Sequence, residues 1–556
     1  MLRTAAGVLV AAGGAGLAAA LLGCIVGSLT AVVSALSLAF GAALGALAAH
    51  SVRVDPPELP SRLDALALAV FLLVSLRQFL WVCFERGGIF VTLLGNNYGD
   101  LPLHWTYVRF LANGAAFWPD NPIFSGERLR YPFGADLVTA LFVTLGADVP
   151  ALFRLLGLLG AGLAAHALFL WGRSFAVAGF LFAGGLAGLR FLATGTLLDY
   201  QAGLAWKNVF TALFVPQRGF LYALPAGLLL LWSWRRRLLR DQEGLPPWVE
   251  GLLWGAMPLF HLHTFLFLSL VCGLWAGARR RILPGLLALR WAVVPAGWSV
   301  WQVTDGWKSA SLVWWKPGWM IGGQDPLVFL GVNFGFWLPL VAVAAVLALR
   351  KGEGEHRLTL LPGLAGFVLL FFLMLAPWDW DNTKVMLWCY LLVLPASYQL
   401  VLAPLPPFLR AAALFLLLFS GFVSVASASR GRGPLPEIAE RAELESVCRA
   451  LAPLPLEHRV ATMQTFNHPV ALCGHPLVAG YPGHIWSHGL DGGPVARRLE
   501  TLMNGEPGWR EAARMLGARA LFWGQREQLH FPSSTREWER QPLVASGPWG
   551  RLYRLD

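Results

Sequence analysis

Eleven stretches of this chain run for 18 residues or more with few charges, near 5–24, 27–49, 63–82, 151–172, 175–194, 216–233, 285–303, 327–349, 358–376, 385–403 and 409–428. About 20 apolar residues in a helix span the hydrocarbon core of a bilayer. Inside lipid every backbone N–H and C=O must find its partner within the protein, which restricts spanning segments to helices or closed barrels. Runs of this length predict helices. The expected fold class is therefore mainly α, a polytopic transmembrane helical bundle of about eleven to thirteen spans.

Composition agrees with that reading. Of 556 residues, 56% are hydrophobic and 13% charged. The net charge of +11 need not imply nucleic acid, because the basic residues gather in short clusters beside apolar runs, where they set topology. The segments "RVDPPELPSR", "WGRS", "WRRRLLRDQ", "ARRR" and "LRKGEGEHR" should then face the cytoplasm. One run resists this scheme. The stretch 250–277, "EGLLWGAMPLFHLHTFLFLSLVCGLWAG", has basic residues beyond both ends, so a single crossing would put one of them on the wrong side. A hairpin of two short helices, bent around Pro258 and the pair His261 and His263, removes the conflict.

The resulting organisation has a helix pair over 1–60, a membrane domain over 61–429 with a long first outer loop at 83–150, and a polar tail at 430–556. The apolar stretch near 136–146 reads as re-entering the membrane from that loop. Two retained helices are expected at the N-terminus, although its short basic start also fits a cleaved signal. In the tail, helix-like pieces ("EIAERAELESVCRAL", "GPVARRLETLMNG", "PGWREAARML") mix with strand-like ones ("RVATM", "PLVAG", "ARALFWG", "GRLYRL"), which predicts a small extracytoplasmic α/β domain. Cys448 and Cys473 lie in that tail and could pair outside the cytoplasm, but spacing alone does not fix a pairing.

The chemistry sits on one side. Inner loops are short and plain, whereas outer segments hold the unusual residues. After the third apolar run comes "TLLGNNYGDLPLHWTYVRF", with Asn97, Tyr98, Asp100 and His104; if 97–107 is helical, Asp100 and His104 share a face. The Pro-, Gly- and aromatic-rich loop "GAAFWPDNPIFSGERLRYPFGADL" follows and contains Tyr131. Lys207 and Arg218 stand in "GLAWKNVFTALFVPQRGFLYALP"; an Arg fork suits phosphate, while the plainer reading is an interfacial anchor. The turn "LAPWDWDNTKVMLW" carries Trp378, Asp379, Asp381 and Lys384, a mixture of aromatic faces and carboxylates that suits a sugar or an ordinary interfacial belt. Four of the five lysines (207, 308, 316 and 384) fall on the outer side, against the usual charge bias. His261 and His263 lie at membrane depth, where an ionisable group points to function; on a helix their i, i+2 spacing would aim them apart. In the tail, His484 and His488 have helical ligand spacing, but Pro482 and neighbouring glycines favour a loop packed on the membrane domain.

This arrangement resembles the GT-C superfamily of multispanning glycosyltransferases. The carriers are an acidic residue at a membrane exit, an amphipathic segment, the "GAAFWPDNP…RLRYPFG" loop, the short-helix pair around His261 and the α/β tail, with the likeness covering roughly 60–430. The resemblance implies sugar transfer from a polyprenyl-phosphate donor to a glycan, lipid or protein acceptor, on the outer face of a bacterial plasma (inner) membrane. It implies Asp100 as the carboxylate base, with His104 orienting it or a substrate hydroxyl. Arg218, Lys207 and Lys384 would stabilise the departing phosphate, and Asn97, Tyr98, Tyr131, His261, His263, Trp378, Asp379 and Asp381 would bind substrate. Many members carry an adjacent acidic pair in this loop, and this chain has a single Asp. That departure weakens any inference of a metal, so no metal ligand is assigned and Mg or Mn stays an open option as cofactor. An O-antigen-ligase-like enzyme and a lipid or glycan transporter are the competing readings; the one-sided chemistry favours catalysis at one face over transport.

Overall fold

A computed structural model describes residues 1–53, 59–197, 203–308, 313–431 and 433–555. Parts of the expected segments 53–62, 195–215 and 304–326 therefore lie outside the described residues. Helix α1 (Leu2–Val26) ends at Gly27, whose φ of 99° only glycine adopts readily. Helix α2 (Ala31–Ser51) starts at Thr30, whose hydroxyl accepts the Val33 N–H at 3.1 Å. The two pack so closely that a side chain at Gly41 or Gly45 would meet the carbonyl oxygens of Ala11 or Gly7 at 2.5 Å. A capping box of Ser61 and Asp64 opens α3 (Arg62–Leu80).

The loop 83–150 contains a hairpin of β1 (Phe84–Arg86) and β2 (Ile89–Val91), then α4 (Asn97–Ala112) and α5 (Gly134–Thr144). Helix α5 covers the apolar stretch expected to re-enter; its eleven residues are too few to cross a bilayer. Asp148 caps α6 (Val149–Leu181), which breaks sharply at Gly172 and Arg173, the latter at φ 56°. The chain turns back there. Phe175 packs on Tyr398, and the Tyr390 hydroxyl reaches the Gly179 carbonyl at 2.9 Å. The expected second span at 175–194 is not one helix, because α6 stops at Leu181 and only the short α7 (Arg190–Thr194) follows.

Helix α8 (Phe220–Trp234) leads to α9 (Pro247–Phe260) and α10 (Leu262–Ala278). These two form the expected hairpin. Trp254 Nε1 donates across it to Ser269 Oγ at 2.9 Å, and His261 is the break, at φ −161° and ψ 98°. Helix α11 (Ile282–Val303) then runs beside α9; a side chain at Gly251 would meet Trp291, and one at Gly255 would meet Pro295. Helix α1 packs on α5, α8 and α9.

The strand β3 (Trp314–Trp315) is followed by α12 (Pro326–Phe334) and α13 (Trp337–Lys351), which meet at 89° around Gly335 instead of forming the straight span expected at 327–349. Next come α14 (Gly354–Leu369), β4 (Leu373–Met374), α15 (Thr383–Ser397) and α16 (Pro407–Arg430). Among the described residues, six helical segments are long and apolar enough to cross a membrane, or seven with the bent pair. Of the other crossings expected from sequence, 285–303 is the continuous helix α11, and the rest are short or broken helices, which is how irregular backbone survives at membrane depth when protein surrounds it.

The basic segments meet at one end of the bundle. Arg173 pairs with Asp64 at 2.6 Å, and Arg235 Nε and Arg240 Nε contact Glu355 at 2.6 and 2.7 Å. Arg235 also reaches the Trp171 carbonyl, and Arg279 donates to the Leu239 carbonyl at 3.0 Å. The opposite end carries the tail. Strand β5 (Glu437–Glu440) pairs antiparallel with β2, so the tail adds a strand to the loop 83–150. Helix α17 (Arg441–Leu451) is joined by a Cys448–Cys473 disulfide to the end of α18 (Pro469–Leu472).

A four-stranded sheet of order β6-β7-β9-β8 centres the tail, built from β6 (Arg459–Ala461), β7 (Ala518–Gly524), β8 (Leu543–Gly547) and β9 (Gly550–Arg554). Only β6 and β7 run parallel. The helices α19 (Pro482–Ser487), α20 (Gly493–Asn504), α21 (Trp509–Leu516) and α22 (Gln525–His530) complete it. The strand-like "PLVAG" forms isolated bridges to Phe124 and Val460 instead of a full strand. Backbone bonds from Leu477 to Pro122 and from Gly480 to Ile123, both 2.8 Å, bind this segment to the loop 83–150.

Candidate active site

Helix α4 sets the site's geometry. Its first turn holds Asp100, half-buried, and the next turn holds His104, which is 2% exposed. His104 Nδ1 contacts both carboxylate oxygens of Asp136, at 2.9 and 3.0 Å, and Asp136 sits in the first turn of α5. Gly134 explains how α5 comes so near the α9–α10 hairpin: a side chain there would lie 2.8 Å from the Leu259 carbonyl oxygen.

Two further elements converge on the same end. The turn 379–382 is pinned by Asn382, whose amide donates to the Leu370 and Leu373 carbonyls at 2.9 and 2.8 Å and whose oxygen accepts the Leu375 N–H at 3.0 Å. This turn presents Asp381, paired with Lys384 at 3.1 Å. The hairpin contributes His261 and His263, whose rings lie 5.8 Å apart. Because His261 sits at the helix break, where its Nδ1 accepts the Thr264 N–H, the helical rule that would separate the pair does not apply.

Electrostatics ties these groups together. Burial raises the Asp100 carboxyl above its ordinary range; His104 and Lys384 pull it down, and Asp381 pushes it up. From the tail, the His488 ring lies 5.1 Å from Tyr131, which stands 6.2 Å from His104. Burial pulls His488 to about 3, with the positive charge of His484, Lys384 and His104 acting the same way. His484 falls to about 4, again chiefly through burial. Both are neutral imidazoles at pH 7, able to donate and accept hydrogen bonds from hydroxyls. Asp100, Tyr131, His263, Lys384, His484 and His488 all keep partial solvent access.

Other residues singled out from sequence fall differently. Asn97 is buried and donates to Thr92 Oγ1 at 3.0 Å. Tyr98 packs on Phe466 of the tail with ring centroids 4.3 Å apart. Asp379 is ion-paired with Lys316, exposed Trp378 lies against Trp380, and Lys207 Nζ stands 5.5 Å from the Trp380 ring. Arg218 is 2% exposed; it donates to the Phe153 carbonyl at 3.2 Å and lies over the Phe153 ring. Asp136, the partner of His104, is the charge that most favours its protonated form. Among the described residues, no group of three or more His, Cys, Asp or Glu converges as a metal-ligand set.

Two contributions escaped the sequence reading. Asp136 is a lone carboxylate at the start of an apolar stretch, with no local signal for its partner 32 residues earlier. His484 and His488 carried a signal, the i, i+4 spacing, but Pro482 and the glycines argued for a loop. A helix forms there after all, because Pro is well suited to a first helical turn.

The chain is similar in fold to solved structures of two sugar-transferring enzymes. One is the oligosaccharyltransferase of Archaeoglobus fulgidus, at 12% identity and TM-score 0.41, covering 83% of this chain and 69% of that one. The other is the arabinofuranosyltransferase AftD from Mycobacteria, at 18% identity and TM-score 0.46, covering 90% of this chain. This chain spans 40% of the length of that enzyme. No family model matches the sequence, and no curated protein matches it.

Proposed function

We propose that this integral membrane protein is a glycosyltransferase that moves a sugar from a polyprenyl-phosphate donor to an acceptor hydroxyl, with Asp100 as general base. The carrying observation is the surroundings of Asp100: a half-buried carboxylate with raised proton affinity, within the electrostatic reach of His104, Lys384 and Asp381. A base tuned upward towards neutrality takes a proton more effectively than an ordinary surface carboxylate.

In this reading the acceptor O–H gives its proton to Asp100 as its oxygen bonds to the anomeric carbon. The bond from that carbon to the phosphate oxygen breaks, and the electron pair leaves with the polyprenyl phosphate. Lys384 meets the developing charge, held in place by Asp381 at 3.1 Å. The pair His104 and Asp136 fixes one wall, and Tyr131, His263, His484 and His488 supply hydroxyl partners. Arg218, already engaged with Phe153, acts on the site through its field and not by contact.

The site is assigned to the extracytoplasmic face of a bacterial plasma membrane. The clustering of the basic segments at the far end supports that orientation, as does the Cys448–Cys473 disulfide, a bond typical of oxidising compartments. The test is sugar transfer by the purified full chain from a panel of polyprenyl-phosphate sugars. Wild type should transfer from at least one donor, and Asp100→Asn should lose transfer; full activity in that variant would overturn the base assignment.

A further inference from the structure

A cavity lies on the face of α4 away from Asp100. Asp100 and Arg109 are nine residues apart, which at 3.6 residues per turn puts them on opposite faces of the helix. On the Arg109 face is a cavity of about 960 Å³, enclosed by the β1–β2 hairpin, the start of α6, α17 and the disulfide. It is far larger than one water molecule needs, and its lining is charged in an unusual way.

Four arginines line it: Arg109, Arg154, Arg441 and Arg449. Arg441 holds both Glu85 and Glu445, at 2.7 and 2.8 Å, which uses up two of the three lining carboxylates. The third, Asp148, caps α6 by accepting the Ala151 N–H at 3.0 Å. Among the described residues, Arg109, Arg154 and Arg449 have no carboxylate within ion-pair distance. The lining also includes Trp105, 2% exposed, whose buried indole N–H has no hydrogen-bond partner. Indole and guanidinium groups donate only, so Trp105, Arg109, Arg154 and Arg449 line the cavity with donors.

Asn113 and His475 also line it, and the apolar part of the wall is formed by Phe84, Phe90, Leu444, Leu456 and Leu472. Phe84 follows α3 closely, and Arg154 lies in the first turns of α6, so the cavity sits where two spanning helices leave the membrane. An anion with an apolar body, presented at the bilayer surface, meets every one of these conditions. We infer that this cavity binds the phosphodiester headgroup of an anionic membrane phospholipid, through Arg109, Arg154 and Arg449 with the first acyl carbons against the apolar wall. Arg is the side chain best matched to phosphate oxygens. This inference does not rest on the glycosyl-transfer reading, because the cavity is on the far face of α4 from Asp100.

The test uses the full chain in nanodiscs of phosphatidylcholine, with or without phosphatidylglycerol, and a third sample with inorganic phosphate in place of the anionic lipid. Phosphatidylglycerol should raise the melting temperature and remain bound in native mass spectrometry. In R109Q/R154Q the bound lipid and the shift should be lost. Arg449 is exposed, so R449E should fold normally and weaken phosphatidylglycerol binding by about tenfold. An equal phosphatidylglycerol shift in wild type and R449E would overturn the proposal. Full reproduction of the shift by inorganic phosphate would overturn the lipid assignment in favour of a simple anion site.

Discussion

His104 Nδ1 lies 2.9 and 3.0 Å from the two carboxylate oxygens of Asp136, and neither residue is more than 2% exposed. A ring held this way donates through Nδ1, which leaves Nε2 as the nitrogen whose role changes with the charge of the ring. Asp136→Asn keeps the shape but replaces one acceptor oxygen with a donor. Loss of a charge-assisted hydrogen bond of about 1.5–3 kcal/mol should lower kcat by roughly 10- to 100-fold. KM should change little, because Asp136 acts through His104. Steady-state kinetics separates the two, and an equal rise in KM alone would assign Asp136 to binding.

The proton affinity of Asp100 makes a signed prediction. A general base works only when ionised, so activity should fall on the acid side with an apparent pKa above that of an ordinary Asp. Lys384 lowers the Asp100 value and Asp381 raises it. Lys384→Met should therefore shift the acid limb to higher pH. Asp381→Asn should shift it lower, both by removing a negative charge and by releasing Lys384 from its pair. The readout is the position of the limb in kcat/KM and not its height, since Lys384 also meets the leaving phosphate. Opposite shifts would remove Asp100 as the titrating base.

The membrane architecture was largely legible because a bilayer imposes a length and a polarity that a single sequence displays directly. The α9–α10 hairpin emerged from charge bookkeeping alone, since basic residues beyond both ends of 250–277 cannot lie on opposite sides. What remained hidden depended on contacts distant in sequence. The reversal at Gly172 and Arg173 falls where the turn "WGRS" was expected, but the early end of α6 at Leu181 was not displayed, and the 89° bend at Gly335 lies inside an apolar run. Asp136 acquires meaning only when α5 folds back on α4. The site's tail residues were visible as a spacing, but composition around Pro482 obscured the short helix that carries them.

The Cys448–Cys473 disulfide closes a loop across a sequence separation of 25 residues, joining α17 to the residue that follows α18. Chain-entropy arguments give such a loop a stabilisation of about 3 kcal/mol. Cys448→Ser with Cys473→Ser should lower the melting temperature of the full chain, and reductant should lower that of wild type but not of the double variant. Under non-reducing conditions neither cysteine should react with a maleimide. Because α17 and Cys473 also line the arginine-rich cavity, the double variant should bind phosphatidylglycerol less tightly.

Deep in the tail, Glu527 and His468 are both fully buried and meet at 3.0 Å. Glu527 also accepts the Met463 and Gly524 N–H groups at 3.1 and 3.0 Å. His468 Nδ1 accepts the Val470 N–H, so its Nε2–H is the donor to the carboxylate. Burial alone would raise the Glu527 carboxyl, but the imidazole and the two amide bonds outweigh it and hold the group below its usual value. The sign of the linkage follows. With a folded value below the unfolded one, the stabilisation is fully present above the ordinary Glu pKa of about 4.3 and is lost as pH falls through the lowered value. Glu527→Gln should remove it, because a Gln amide group would set its own N–H against one of these donors; the expected cost is about 2 kcal/mol or more. Melting curves of the full chain between pH 7 and pH 3 test this. Wild type should lose more stability on acidification than Glu527→Gln, and parallel losses would show that Glu527 is not the group responsible.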